Sequence, residues 1–143
     1  PKEVSLHRTE EGLRLFFYPV SEFDALRTRK LVALRRPTVA EADRQLQQAC
    51  GDRRLDVEME YALEDRAVLT LLVNGREVRL TEGGHVRVIS DRTLTEVFVD
   101  RGRSAEVFRR EPEHFDYRDG GLSLKGGGII RVLNVHALDS IWD

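Results

Sequence analysis

The sequence predicts an all-β domain, a sandwich of two antiparallel sheets, and three observations carry that expectation. Short apolar runs recur at intervals of about ten residues, each bounded by Gly, Pro or Asn. Asn74-Gly75 separates the runs Ala67 to Val73 and Glu77 to Leu80, the strongest short-range hairpin signal in the chain. Only Thr38 to Cys50 has real helical character, which is too little helix for a parallel α/β sheet.

The elements follow in order. Leu13, Leu15 and Phe17 alternate with Arg14, Phe16 and Tyr18, the pattern of a strand buried heavily on one side. Pro19 ends it, and Ser21 is placed to cap a short helical turn through Phe23 and Leu26. Lys30 to Leu34 reads as the next strand, stopped by Pro37. In the helical segment, Thr38 and Glu41 have capping-box spacing, and Val39, Ala42, Leu46 and Ala49 fall near one face. The period then changes. Leu55, Val57, Met59, Tyr61 and Leu63 alternate with polar neighbours, as in a half-buried antiparallel strand.

After the Asn74-Gly75 hairpin, Gly83-Gly84 opens another turn. Two strand runs then flank Asp100-Arg101-Gly102, the composition of a three-residue hairpin loop with Gly102 at positive φ. Within the first run, Asp91-Arg92 interrupts β-branched residues and Glu96 follows. A strand that only fills a core does not normally carry such charges. Glu111 to Asp119 reads as a polar loop around Pro112, and Gly120-Gly121 and Gly126 to Gly128 mark two further turns. No linker, low-complexity tract or internal repeat is legible.

A chain of 143 residues fits one domain, able to bury roughly two-thirds of the surface it exposes when unfolded. At 41% hydrophobic and 34% charged it is globular rather than disordered. No apolar run is long enough to cross a membrane, so no membrane partner is expected. Net charge is −2, from 23 basic and 25 acidic residues interspersed along the chain. A nucleic-acid surface would concentrate one sign on a face, so no nucleic-acid partner is expected either. Cys50 is the single cysteine, which excludes an internal disulfide and a four-thiolate metal site. Pro1-Lys2-Glu3 leads directly into a charged strand-like run, with no signal peptide legible.

Searches for reactive groups return little. His7, His85, His114 and His136 are far apart and form no i, i+4 ligand pair, so each reads as an ordinary surface or half-buried histidine. Gly126 to Gly128 lacks the spacing of a phosphate loop or dinucleotide fingerprint and reads as a turn. No metal site and no cofactor is expected.

Several spaced motifs do have a common reference. They are Pro1-Lys2-Glu3-Val4, then Pro19-Val20 with Glu22 and Leu26-Arg27, then Asp91-Arg92-Thr93 with Glu96-Val97-Phe98. Gly102-Arg103 after a tight turn and the terminal Ser140-Ile141-Trp142 complete the set. In this order they resemble the C-terminal β-sandwich of glycoside hydrolase family 32, the fructan-acting levanases, inulinases and invertases. The match is weak over Thr28 to His85, where Thr38 to Cys50 has no clear counterpart. At the hairpin, Asp100-Arg101 stands where Asn-Asp is commoner.

The resemblance implies a jelly-roll sandwich of the concanavalin or lectin-like type, which packs on a five-bladed β-propeller catalytic domain and stabilises it. That family carries its nucleophile in an Asn-Asp-Pro-Asn-type motif, a stabilising Asp in Arg-Asp-Pro and its acid/base in Glu-Cys. None of these occurs here. Asn74 is followed by Gly75, Arg118-Asp119 by Gly120, and Cys50 is preceded by Ala49. Glycoside hydrolysis needs two carboxyl groups across the scissile bond, so no catalytic residue is assigned. The expectation is a single accessory domain over 1–143, part of or derived from a glycoside hydrolase acting on β-fructosides. It would be extracellular or periplasmic if the parent enzyme is exported, and cytoplasmic otherwise.

The alternative is a fructan-binding module. In that reading Asp91, Arg92 and Glu96 line a shallow pocket and hydrogen-bond the hydroxyls of a fructan oligosaccharide, as planar charged groups do at sugar sites. In the other, Arg92 bridges Asp91 or Glu96 at a bend and satisfies a corner of the sandwich. Trp142 is open in the same way, a sugar-stacking platform or an anchor for the last strand. Tyr18, Phe98 and Phe108 are core candidates.

Overall fold

The computed structural model describes residues 1–49, 54–91, 93–109 and 121–139. Period-two alternation produces most of it. In β4 (Leu55–Ala62) the odd positions Leu55, Val57, Met59 and Tyr61 are buried on one face. The same rule places Val86 and Val88 of β7 (His85–Ser90) and Leu133 and Val135 of β11 (Ile129–Leu138) beside them. With β3 (Arg27–Arg35), β8 (Leu94–Val99) and β9 (Ser104–Arg109), these strands form a six-stranded sheet of order β3-β11-β4-β7-β8-β9. Every pairing in it is antiparallel.

A second, three-stranded sheet has the order β10-β5-β6, from β5 (Leu69–Val73), β6 (Arg76–Leu80) and β10 (Leu122–Gly126). Leu69, Leu71, Val73, Val78, Leu80, Leu122 and Leu124 pack from it against the six-stranded sheet in one apolar core. The sandwich expected from the sequence is therefore present. Its β5–β6 turn is Asn74-Gly75, both at positive φ (48° and 79°), which is the twist a tight hairpin requires. Among the described residues no helix is long and apolar enough to cross a membrane.

The helical expectation also holds. Helix α1 (Val39–Gln48) starts from a complete capping box between Thr38 and Glu41 and sends Ala42 and Leu46 into the main core. It lies along β10, and Asp43 accepts a hydrogen bond from the Leu124 amide at 3.0 Å. Polar groups on an edge strand otherwise face water or another chain.

Three expectations need correction. The strand through Leu13, Leu15 and Phe17 exists as β2 (Gly12–Pro19), but those side chains are 59, 54 and 40% exposed. It pairs only with β1 (Lys2–Thr9), and a two-stranded ribbon has no second layer to cover its apolar face. A 3-10 turn does span Ser21–Leu26, but its N-cap is Val20, and the Ser21 hydroxyl bonds Glu22 instead. The run carrying Asp91-Arg92 is not one strand either. It breaks between β7 and β8, because Asp91 folds its carboxylate onto the turn. Cys50, Arg92, His114, Trp142, and the loop around Pro112 lie outside the described residues.

The β8–β9 loop joins the ribbon to the sandwich. Asp100 and Arg101 are left-handed at φ 49° and 56°, and Gly102 follows at φ 95°. The Asp100 carboxylate accepts from the amides of Gly84 (2.9 Å) and His85 (3.3 Å), which holds the loop in this shape. A Cβ on Gly102 would stand 2.1 Å from the Phe17 carbonyl oxygen. Gly102→Ala therefore combines a backbone clash with an unfavourable φ, and should cost about 3 kcal/mol or more. A thermal melt of the variant checks this, since a melting temperature equal to wild type would contradict the contact.

Candidate functional site

The outer face of the six-stranded sheet, away from the main core, carries the densest chemistry in the described chain. Alternation puts Asp56 and Glu58 of β4 there, beside His85 and Arg87 of β7. Each of these two pairs is offset by the antiparallel register Glu58↔Arg87 and Asp56↔Ile89. The 3-10 turn lays Asp24, Phe23 and Leu26 over them, and Arg27 enters from the start of β3. Tyr18, Phe23 and Leu26 pack with Ile89, Phe98 and Leu138 in a second, smaller apolar cluster.

Asp56 is fully buried. Its Oδ1 accepts from Arg87 Nε at 3.0 Å, and its Oδ2 accepts from Arg87 Nη2 at 2.7 Å and Arg27 Nε at 2.8 Å. The first two form the parallel fork in which guanidinium and carboxylate match best. Arg87 Nη2 also donates to Asp24 Oδ1 at 2.7 Å, and its guanidinium lies 5.7 Å from the Tyr18 ring and 6.0 Å from the Phe23 ring. Arg87 is 3% exposed. Burial works to lower its pKa, but the hydrogen bonds and charge of Asp56, with those of Asp24, outweigh it and hold the guanidinium firmly charged.

Glu58 continues the network outward. Its Oε2 lies 2.8 Å from His85 Nε2 and its Oε1 lies 3.7 Å from Arg27. The hydrogen bond from His85 lowers its pKa to about 2, against the opposing effect of partial burial and with help from the nearby His85 and arginine charges. A general acid at neutral pH needs the opposite shift. Glu58 stays ionised, and Asp56 is enclosed by its two arginines. The accessible fringe consists of Asp24, Glu58 and Arg27, with side chains 48, 29 and 21% exposed. These groups can accept and donate hydrogen bonds beside the half-buried Tyr18 ring. Burial pushes the Tyr18 phenol up, with the Glu58 charge adding to it, so the phenol keeps its proton.

The residues singled out by sequence are placed differently. Asp91 Oδ1 accepts from the Thr93 amide and the Leu94 amide, each at 2.7 Å, and from the Thr93 hydroxyl at 3.2 Å, which closes the β7–β8 turn. Glu96 sits within β8 and pairs with Lys2 at 2.7 Å. Lys2 also stands 5.9 Å from the Phe98 ring, so this ion pair ties β1 to the sheet. Asp91 and Glu96 share no hydrogen bond or ion pair with each other, and Arg92 lies outside the described residues. Among the core candidates, Phe98 is fully buried in the smaller cluster, Tyr18 packs against it, and Phe108 packs on the main core.

No site role is assigned from sequence to Asp24, Arg27, Asp56, Glu58, His85 or Arg87. A charged residue inside an apolar strand run was the signal, and it applied to Arg87 as strongly as to Arg92. His85, 6% exposed, is buried rather than half-buried. No group of three or more potential metal ligands occurs among the described residues.

Two measurements follow from the network. Arg87→Met leaves a buried carboxylate short of its main partner and should lower stability by about 3–5 kcal/mol, read by urea denaturation. The double variant Asp56→Leu/Arg87→Met removes the stranded charge as well and should recover most of that loss. The second concerns acid. The Glu58 carboxyl has its folded pKa depressed from 4.5 to about 2, so the folded state binds fewer protons than the unfolded state between those values. Its contribution is complete above about pH 4.5 and is lost as pH falls toward 2. Wild type should exceed Glu58→Gln by on the order of 2 kcal/mol at pH 6, with the gap closing by pH 2. A gap independent of pH would contradict this assignment.

No protein-family model matches the chain, and no curated protein matches it in sequence. Solved structures do match in fold. A sucrose-6-phosphate hydrolase from Lactobacillus gasseri overlays 96% of this chain with a TM-score of 0.62 at 13% identity. A glycoside hydrolase family 32 protein from Bifidobacterium adolescentis overlays 98% with a TM-score of 0.53 at 18% identity. A family 32 beta-fructofuranosidase from Bombyx mori overlays 94% with a TM-score of 0.56 at 14% identity. The chain spans only 33, 26 and 32% of those three proteins. Its sandwich is thus the fold found in about a third of a family 32 glycoside hydrolase.

Proposed function

We propose that this chain is a non-catalytic accessory β-sandwich, the C-terminal domain of a β-fructoside-acting glycoside hydrolase, and that it packs on and stabilises a β-propeller catalytic domain. The observation that carries this reading is the coverage. Nearly all of this chain overlays a minority of each neighbouring enzyme. The chemistry of the outer face supports it. A glycosidase needs one carboxyl held protonated and a second free to attack or to activate water. Here Asp56 is occupied by two arginines, and Glu58, with its pKa lowered to about 2, is ionised at neutral pH. Both are arranged as structural anions.

The second reading is a fructan-binding module working through Asp91, Arg92 and Glu96. Asp91 and Glu96 already have internal partners in their turn and in Lys2, which favours the structural role.

Two assays on the same preparation test the proposal. The isolated chain should release no fructose from sucrose, inulin or levan. Turnover abolished by mutating one of its own carboxylates would falsify the accessory reading. Calorimetric titration with inulin and levan oligosaccharides should show no heat of binding. Binding that falls in Glu96→Gln, with the melting temperature kept, would instead establish the binding module.

A further inference from the structure

The β1–β2 ribbon presents an apolar face that none of the described residues covers. Its register pairs Val4 with Phe17, Leu6 with Leu15, and Arg8 with Leu13. Cross-strand partners share a face of the ribbon, so Val4, Leu6, Leu13, Leu15 and Phe17 form one contiguous stripe. Their exposures are 55, 62, 59, 54 and 40%. The main core, by contrast, is closed, with Leu55, Leu69, Leu71 and Leu133 at 0%. An isolated two-stranded ribbon is marginal in water, and a contiguous exposed apolar patch marks an interaction surface.

The ribbon is nonetheless fixed in place. At its base Lys2 pairs with Glu96, and the Phe17 backbone is packed against Gly102. At its tip the Thr9 hydroxyl donates to the Gly12 carbonyl and accepts from the Glu11 amide. The stripe is therefore held rigid before any partner arrives, which lowers the ordering cost of binding.

We infer that this stripe is the docking surface for the catalytic portion of the parent glycosidase. Three features select that occupant. Two-thirds or more of each neighbouring enzyme has no counterpart in this chain, so a partner of suitable size is implied. Two of the three cations around the tip are paired, Arg14 on Glu11 at 3.4 Å and Arg103 on Glu10 at 3.5 Å and on Glu11 at 3.6 Å, which leaves Arg8, among the described residues, as a single cation rather than a basic cluster. A lipid surface or a polyanion would call for unpaired cations there. The stripe is built from Leu, Val and Phe, with Arg8 beside Leu13 at its tip end, which matches an apolar centre with a polar rim in a protein–protein contact. The inference rests on the accessory-domain reading and adds the face through which that domain attaches.

The test mixes the 143-residue chain with the catalytic segment of its own parent enzyme and reads association by sedimentation velocity. Wild type should associate. Leu6→Glu/Leu15→Glu should weaken association at least tenfold while the melting temperature stays within a degree or two of wild type, because both side chains are already solvent-exposed. Ile129→Glu, at an exposed position outside the ribbon, should associate like wild type. Should the double variant melt early, Leu6→Ser alone replaces it with the same expectation. Equal association of wild type and the ribbon variants overturns the inference and leaves the accessory reading standing. Failure of wild type to associate, or the absence of any glycosidase segment in the parent, overturns both. A wild-type homodimer that the ribbon variants dissolve assigns the stripe to a second copy and overturns the proposed occupant.

Discussion

A carboxylate sealed inside the sandwich organises the rest of the molecule. Asp56 lies on a sheet face that most sandwiches leave to water, and it is fully buried because the 3-10 turn and Tyr18 close over it. Burying an unpaired anion is prohibitive, so its position dictates where both arginines must be. Arg87 comes from the adjacent strand β7, whereas Arg27 comes from β3, two strands away in sheet order. Strands β3 and β4 are separated in the sheet by β11, so the Arg27–Asp56 bond passes across that strand. The network thereby sets the path of the chain from the ribbon, through the turn, to the edge of the large sheet. An apolar filling of the same volume could be as stable, but it would not select one geometry among several.

Legibility differed between the layers for a physical reason. The main core was readable because its signal is periodic. Leu55, Val57, Met59 and Tyr61 announce one buried face, and Asn74-Gly75 can only be a tight turn. Thr38 and Glu41 were readable because a capping box is a local motif whose two bonds form within four residues. The outer face was not. A polar residue alternating with apolar ones looks solvent-exposed in sequence, and nothing within β4 separates buried Asp56 from exposed Glu60. The distinction is made by a turn 30 residues earlier, which sequence periodicity does not register.

The ribbon failed in the converse direction. Leu13, Leu15 and Phe17 have the alternation of a buried strand, and the structure leaves them in solvent. Alternation reports that a face is meant to be covered, without saying by what. For β4 the cover is in this chain. For β2 none of the described residues supplies it, and only the family resemblance offers a source for it. Asp91 taught the same lesson on a smaller scale. Its carboxylate is out of place in a strand because it ends one.

Helix α1 also guards an edge. The small sheet has only three strands, so its β10 side would be an open template of amides and carbonyls. The helix lies along that side, and Asp43 engages one of the amides directly. On the other side, Arg76 of β6 stacks 3.4 Å above the Phe108 ring of β9 and joins the small sheet to the large one. Growth of the smaller sheet by a strand from another molecule is obstructed along its β10 margin, where the helix lies. Among the described residues, the edges left open to another strand are β6 in the small sheet and β3 and β9 in the large one, so the helix confines unwanted strand addition to one side of the smaller layer.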